Sequence, residues 1–217
     1  MGKIDDAVCI IDDDPAVRKG LARLLRSAHL AVATYASAAE FLARADDDGV
    51  GCIVLDVRMP GLDGMSMQAR LAALGDQPPI IFLTGHGDIP MSVQAMKQGA
   101  FDFLTKPVDE EVLLNAVHQA LTRHGADHAD RIERQALRAR LESLTPREQE
   151  VLRLVITGAL NKQIAATLGI AEKTVKIHRG RVMEKMEASS VAALMNLCRQ
   201  VGIQPPQGLQ TQADWGR

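Results

Sequence analysis

Three aspartates in a row, Asp12, Asp13 and Asp14, directly follow the apolar run AVCII (7–11), and a lone Asp56 directly follows CIVL (52–55). Thr84 closes the run PIIFLT (79–84), and Lys106-Pro107 follows FDFLT (101–105). Like charges held close raise each other's pKa and destabilise a fold unless a cation neutralises them. A hard divalent ion suits such an oxygen-only set, and Mg²⁺ is the expected one. Pro107 can fix a cis turn behind the ammonium. Each residue alone has a plainer use: Thr84 as a helix cap, Lys106 as a surface lysine, Asp56 as a loop carboxylate, Asp12 to Asp14 as acids at a helix N-terminus. Together they resist that explanation, because acid group, lone acid, hydroxyl and lysine follow in order at the ends of successive apolar runs.

Such groups meet only if the runs are strands of one sheet. AVCII (7–11), AVATY (31–35), CIVL (52–55), PIIFLT (79–84) and FDFLT (101–105) alternate with longer segments of helical period. Val17, Leu21, Leu24 and Leu25 share a helical face, as do Val93 and Met96, and Val112, Leu113, Ala116, Val117 and Leu121. Strict alternation of five strands and five helices predicts an α/β fold, with a parallel sheet covered on both faces. Ligands in such open sheets sit beyond the carboxyl ends of the strands, where chain order reverses. Met59-Pro60-Gly61 and Asp63-Gly64 supply a tight, φ-permissive loop beside Asp56.

The 217 residues suffice for one generous domain or two modest ones, and a hydrophobic share of 47% is ample for packed cores. Cys9, Cys52 and Cys198 have neither pairing nor metal-ligand spacing, which fits a reducing cytoplasm. The N-terminus lacks a basic-then-apolar signal layout, and no apolar run approaches the roughly 20 residues needed to span a bilayer. Neither secretion nor membrane insertion is expected. Residues 1–123 hold 11 Lys+Arg against 17 Asp+Glu, whereas 144–203 hold 9 against 5. The basic back segment suits a polyanion such as DNA, and equally a solvated surface.

Residues 124–143 are rich in charge and alanine, with Ile132, Leu137 and Leu141 at loosely helical spacing. They read as a helical linker or as a frayed, solvated connector. A second domain opens at Thr145-Pro146-Arg147-Glu148, with Thr145 as N-cap, Pro146 at the first helical position and Glu148 closing a capping box. Four helices are predicted over 146–157, 161–168, 172–186 and 190–201, with Gly169 in the tight turn of a helix-turn-helix. In EKTVKIHRGRVMEKM (172–186), Val175, Val182 and Met186 face inward, while Lys173, Thr174, Lys176, His178, Arg179 and Arg181 cover the rest. A recognition helix in a major groove has this pattern, and so has a solvated helix. The polar tail 204–217 is expected to be disordered, with Trp215 incidental.

IIDDDP (10–15), LDVRMPGLDG (55–64), TGHGD (84–88) and LTKPV (104–108) together resemble the receiver domain of two-component response regulators. The resemblance implies a five-stranded, doubly wound, flavodoxin- or CheY-like fold. It makes Asp56 the phosphoacceptor, Asp12 and Asp13 carboxylates that bind Mg²⁺ directly or through water, and the Arg58 carbonyl a further ligand. Thr84 and Lys106 then contact the phosphoryl oxygens. The chemistry agrees, since a carboxylate nucleophile forms an acyl phosphate while a cation and Lys106 offset charge on the transferring group. Where the family often has tyrosine in the fifth strand, this chain has Phe103, an aromatic switch without a hydroxyl. Its coupling is expected to rest on packing.

Residues 144–186 are similar to the LuxR-type helix-turn-helix of the FixJ and NarL branch of response regulators. By that resemblance Thr174, Lys176, Ile177 and Arg179 lie at or near DNA, with His178 and Lys162 as backbone contacts. Ala171 stands where a Ser or Thr cap is common, and Gly180 where some relatives carry a DNA-contacting lysine. Each weakens the helix by ~1 kcal/mol.

The resemblances together predict a receiver over 1–123, a helical linker over 124–143, an all-α four-helix domain over 144–203 and a tail over 204–217. They imply a transcription factor and not an enzyme. A sensor histidine kinase phosphorylates it, homodimers form on phosphorylation through the 88–121 face and bind double-stranded DNA, and RNA polymerase is a further partner. A haloacid-dehalogenase-like phosphatase also uses aspartate, hydroxyl, lysine and Mg²⁺. It places its nucleophile after the first strand as Asp-x-Asp and needs a lid insertion, and neither fits here. A constitutive DNA-binding protein with a vestigial receiver is disfavoured because Asp12, Asp13, Asp56, Thr84 and Lys106 are all present.

Overall fold

The run Val50–Asp56 forms a strand buried along its whole length, as the continuous apolar sequence of a central parallel strand requires. It is the third strand, β3, in a computed structural model that describes residues 7–43, 49–74, 77–85 and 89–204. The expected disordered tail lies, from residue 205 on, outside the described residues, as do His86, Gly87 and Asp88. Before β3 come β1 (Ala7–Ile11), α1 (Pro15–Ser27), β2 (Val32–Tyr35) and α2 (Ala38–Leu42). After it come α3 (Gly64–Leu74), β4 (Ile80–Thr84), α4 (Ile89–Lys97), β5 (Asp102–Thr105) and α5 (Glu110–Glu142). The strands pair in parallel in the order β2-β1-β3-β4-β5. The chain order therefore reverses at β1 and β3, whose carboxyl ends carry Asp12 and Asp56.

Alternation along the strands divides their side chains between two cores. Cys9, Ile11, Ile53, Leu55, Ile80 and Phe82 pack with Phe41 of α2, Met67 of α3 and Ala95 of α4. Val8, Ile10, Cys52, Val54, Ile81 and Leu83 pack on the other side with Leu21 and Leu25 of α1 and with α5. Each fully buried Leu, Ile or Phe contributes roughly 1.5–3 kcal/mol. Cys9 and Cys52 are buried in these cores and Cys198 in the core of the second unit, and burial pushes the Cys52 and Cys198 thiols up, which leaves those two as packing groups.

Two helical faces differ from expectation. On α5 the buried stripe is Leu113, Ala116, Val117 and Ala120, at i, i+3, i+4 and i+7, while Val112 stands outside it and is exposed. Val93 and Met96 do share a face of α4, but that face is open to solvent together with Ile89, which is 80% exposed; α4 buries Ala95 instead. Among the described residues no helix is long and apolar enough to cross a membrane.

The chain divides into two compact units, 1–128 and 129–217, and the division falls within α5. In the second unit, α6 (Pro146–Val155), α7 (Asn161–Leu168), α8 (Glu172–Lys185) and α9 (Val191–Gln200) surround one core. Leu137 and Leu144 are buried in it and Leu141 packs against it, so the end of the stretch read as a linker is part of this unit's core. Thr145 and Glu148 form the expected reciprocal capping box. Glu148, only 2% exposed, also accepts the Lys185 ammonium at 2.7 Å, and these two bonds hold its carboxyl below the usual range. Gly169 ends α7 in the left-handed conformation (φ 63°) that the helix-turn-helix bend needs.

Helix α8 starts without a side-chain cap at Ala171 and carries Gly180 on its exposed surface, where a Cβ would meet nothing within 4 Å. Gly180→Ala is therefore expected to stabilise the second unit by about 0.5–1 kcal/mol. Denaturant melts of the two proteins measure this, and an unchanged or lowered stability would show that the glycine backbone is needed there.

Candidate functional site

The apolar strands carry four charged side chains to one edge. Asp12, at the end of β1, is 2% exposed; its Oδ1 accepts the Asp14 N–H at 2.9 Å and its Oδ2 accepts the Lys106 ammonium at 2.6 Å. Asp56, the last residue of β3, is 7% exposed; its Oδ1 accepts the same ammonium at 2.8 Å and its Oδ2 accepts the Arg58 N–H at 3.1 Å. Asp13 is exposed, and carboxylate oxygens of Asp12, Asp13 and Asp56 lie within 4.8 Å of one another. Lys106 follows β5, its own N–H donating to the Thr84 carbonyl at 2.7 Å, and its peptide bond to Pro107 is cis.

Burial is the largest influence on Asp56 and holds its carboxyl above the ordinary range, against the lowering effect of Lys106. Burial by itself would lower Lys106, but the hydrogen bonds it donates to Asp12 and Asp56 outweigh it and keep the ammonium charged. Three carboxylates against one ammonium leave negative charge uncompensated. The donor set is all oxygen, and one acid is open to solvent, so a hard divalent cation fits the cluster.

The other predicted residues fall around this centre with some changes of role. Asp14 belongs to the helix and not to the cluster: it caps α1, accepting the Ala16 and Val17 N–H groups. Thr84 is the buried last residue of β4, paired in register with Thr105. Phe103 is half-buried in β5, opposite Phe82, with ring centroids 6.1 Å apart. Gly61 has φ 81°, as its loop requires. Gly64 is needed for a different reason, since a Cβ there would collide with the Asp56 carbonyl oxygen. Sequence reasoning missed Arg18, whose guanidinium donates to the Asp12 carbonyl at 2.6 Å. Its position one turn into α1 was the available signal.

In the second unit, Lys173, Lys176, Ile177 and Arg181 of α8 are exposed, as is Lys162 of α7. Thr174, His178 and Arg179 are half-buried, which corrects the expectation that they simply cover the outer surface. His178 Nδ1 is buried with no hydrogen-bond partner. Arg179 Nη1 donates to Asn161 Oδ1 at 3.0 Å, a partner the sequence did not suggest.

The raised carboxyl of Asp56 has a measurable consequence. The folded chain binds that proton more tightly than the unfolded chain, so stability is greatest while the group is protonated. It falls as pH rises through the ordinary carboxylate range toward the raised value. Asp56→Asn removes the buried charge. In thermal melts of metal-free protein, the variant is expected to melt above wild type at neutral pH, with the gap closing on acidification. A variant that melts lower at neutral pH would contradict this origin.

Comparison with known proteins gives the same two parts. Residues 8–118 match the response regulator receiver domain, and residues 142–198 match the luxR family of bacterial regulatory proteins. The chain is 48% identical over 211 residues to Nodulation protein W of Bradyrhizobium diazoefficiens, covering 94% of this chain and 90% of that protein. It is 42% identical over 201 residues to the transcriptional regulatory protein FixJ of Rhizobium meliloti, covering 93% and 98%. The solved structure of the response regulator StyR is 47% identical and superposes with a TM-score of 0.85, covering 90% of this chain and 99% of that one. The chain thus belongs to the two-component response regulators that join a receiver to a LuxR-type DNA-binding domain, a family of transcriptional regulators and not of enzymes.

Proposed function

We propose that phosphorylation of Asp56 by a sensor histidine kinase switches DNA binding by the C-terminal unit. The observation that carries this reading is the single Lys106 ammonium shared by Asp12 and Asp56. In the proposed step an Asp56 carboxylate oxygen bonds to the phosphorus of a phosphohistidine, the P–N bond breaks, and the imidazole leaves with the electron pair and takes up a proton. Asp12, Asp13, Asp56 and the Arg58 carbonyl would hold Mg²⁺, which when bound supplies positive charge against the carboxylates and the transferring group. Lys106 adds an ammonium already at Asp56, and the Thr84 hydroxyl would be the partner for a phosphoryl oxygen on the β4 side. The acyl phosphate carries roughly −1.5 to −2 charges in place of the single charge of the carboxylate, beside Lys106.

Phe103 transmits the change by packing. It has no hydroxyl to bond, and the Phe82 ring beside it makes its position sensitive to the end of β4. The exposed apolar face of α4, with Ile89, Val93 and Met96, and Val112 of α5 would be covered in a homodimer formed on phosphorylation. Two such units on a two-half-site operator would place Thr174, Lys176, Ile177 and Arg179 at or near the DNA, with Lys162 and His178 as backbone contacts and RNA polymerase as a further partner in a cytoplasmic setting. Charge supports this reading, since the segment 144–203 holds 9 Lys+Arg against 5 Asp+Glu.

The test is to measure duplex affinity and oligomeric state with and without beryllofluoride, a phosphoryl mimic. Wild type is expected to gain affinity and to dimerise, and Asp56→Asn to do neither. No change in either property of the wild type would sink the phospho-switch.

A further inference from the structure

Taking about 100° per residue around α8, the exposed Lys173, Lys176, Ile177 and Gly180 fall within an arc of roughly 100°. The N-terminal part of that arc is the face a groove would meet, since the exposed Glu184 falls within it one turn beyond Gly180. Arg179 lies roughly 110° from its centre and only about 40° from the buried line of Val175, Val182 and Met186. It is half-buried, and its guanidinium is directed to the side, where Nη1 donates to Oδ1 of Asn161, the first residue of α7. Asn161 sits beside the exposed Lys162, and the Leu160 N–H just before it is already taken by Gln163 Oε1 at 2.8 Å. The amide of Asn161 thus serves α8 and not the end of its own helix.

We propose that Asn161 is a positioning residue for DNA binding, holding Arg179 as a clamp on a backbone phosphate at the start of α7. It does not make Arg179 a reader of bases. The proposal rests on the reading of this unit as a DNA-binding domain. An arginine has five N–H donors, of which this bond uses one, so the remainder stay available to an anion. A long side chain loses much rotamer freedom on binding, and fixing it beforehand removes that loss from the association step. Neutral asparagine does this without cancelling the charge; an aspartate would hold the guanidinium equally well and neutralise it.

A phosphate contact does not depend on sequence, so random-sequence duplex DNA is a sufficient probe for the full-length, beryllofluoride-treated chain. Affinity is measured against salt for wild type, Asn161→Ala, Arg179→Ala and the double variant, with thermal melts alongside. Arg179→Ala is expected to reduce the slope of log affinity against log salt by about 0.9, the value of one lost phosphate contact, and to weaken low-salt binding on the order of tenfold. Asn161→Ala should weaken binding in the same direction, and the double variant should bind no worse than Arg179→Ala. Asn161→Asp keeps the acceptor and the fold, and is expected to lose affinity without losing thermal stability, so a folding defect in Asn161→Ala does not decide the matter. The inference is overturned by an unchanged slope in Arg179→Ala, by penalties that add in the double variant, or by unaltered binding in Asn161→Asp. It is also overturned if selection from random sequence shows Arg179→Ala relaxing the preference at one base pair. Wild type that fails to bind duplex DNA overturns the DNA-binding reading itself, whereas wild type that binds with unaffected variants overturns only the clamp.

Discussion

The Lys106 ammonium stands 2.6 Å from one oxygen of Asp12 and 2.8 Å from one oxygen of Asp56, and without it two almost fully buried carboxylates would face each other at the ends of β1 and β3. The sheet order forces that meeting, because β1 and β3 are neighbours, Asp12 directly follows β1 and Asp56 ends β3. One cation answers two buried anions and a third at the surface, so the arrangement is satisfied only in part. Burial still holds Asp56 above its ordinary range. A fold optimised for stability alone would not keep such a group, and sites of function are where this kind of cost is retained.

Around that centre the backbone is braced at several points. Gly64 brings the start of α3 against the Asp56 carbonyl with no room for a side chain, and Arg18 braces the Asp12 carbonyl. On the other side, α4 is tied through its C-terminal end, where the fully buried Gln68 of α3 donates to the Ala95 and Gln98 carbonyls. The Ile89 end of α4 lies in solvent. Helix α4 buries Ala95 and packs Met91 against the core while Ile89, Val93 and Met96 face solvent, and charge added at Asp56 would act next to β4, the strand that leads into it.

Most of the receiver was legible in the sequence because a buried parallel sheet writes continuous apolar runs, and strand-end residues follow directly from them. Asp12, Asp56 and Lys106 stood out by their places directly after apolar runs, while their expected roles came from the resemblance to receiver domains. What stayed hidden depends on distances between segments remote in sequence. The collision that makes Gly64 necessary is one example, the Arg179–Asn161 bond another, and the Lys185 ion pair that buries Glu148 a third. Asp14 was read with its neighbours as an acid run that the resemblance alone divided, and the geometry gives it the role of cap of α1. Val112 misled because helical period marks a stripe but not its edge, and alanine at 120 gives little hydrophobic signal although it fills the buried position. The face of α4 was correctly seen as apolar, but apolar periodicity does not say whether the surface it covers belongs to this chain.

The account turns on where the phosphoryl group goes. Treating the full chain with a small acyl-phosphate donor and Mg²⁺, then locating the added mass by reductive trapping and peptide mapping, tests this directly. A single phosphoryl group on Asp56 is the predicted result, with none on the Asp56→Asn variant. Incorporation at Asp12, at Asp13 or at a hydroxyl residue, or equal incorporation into the variant, would contradict it.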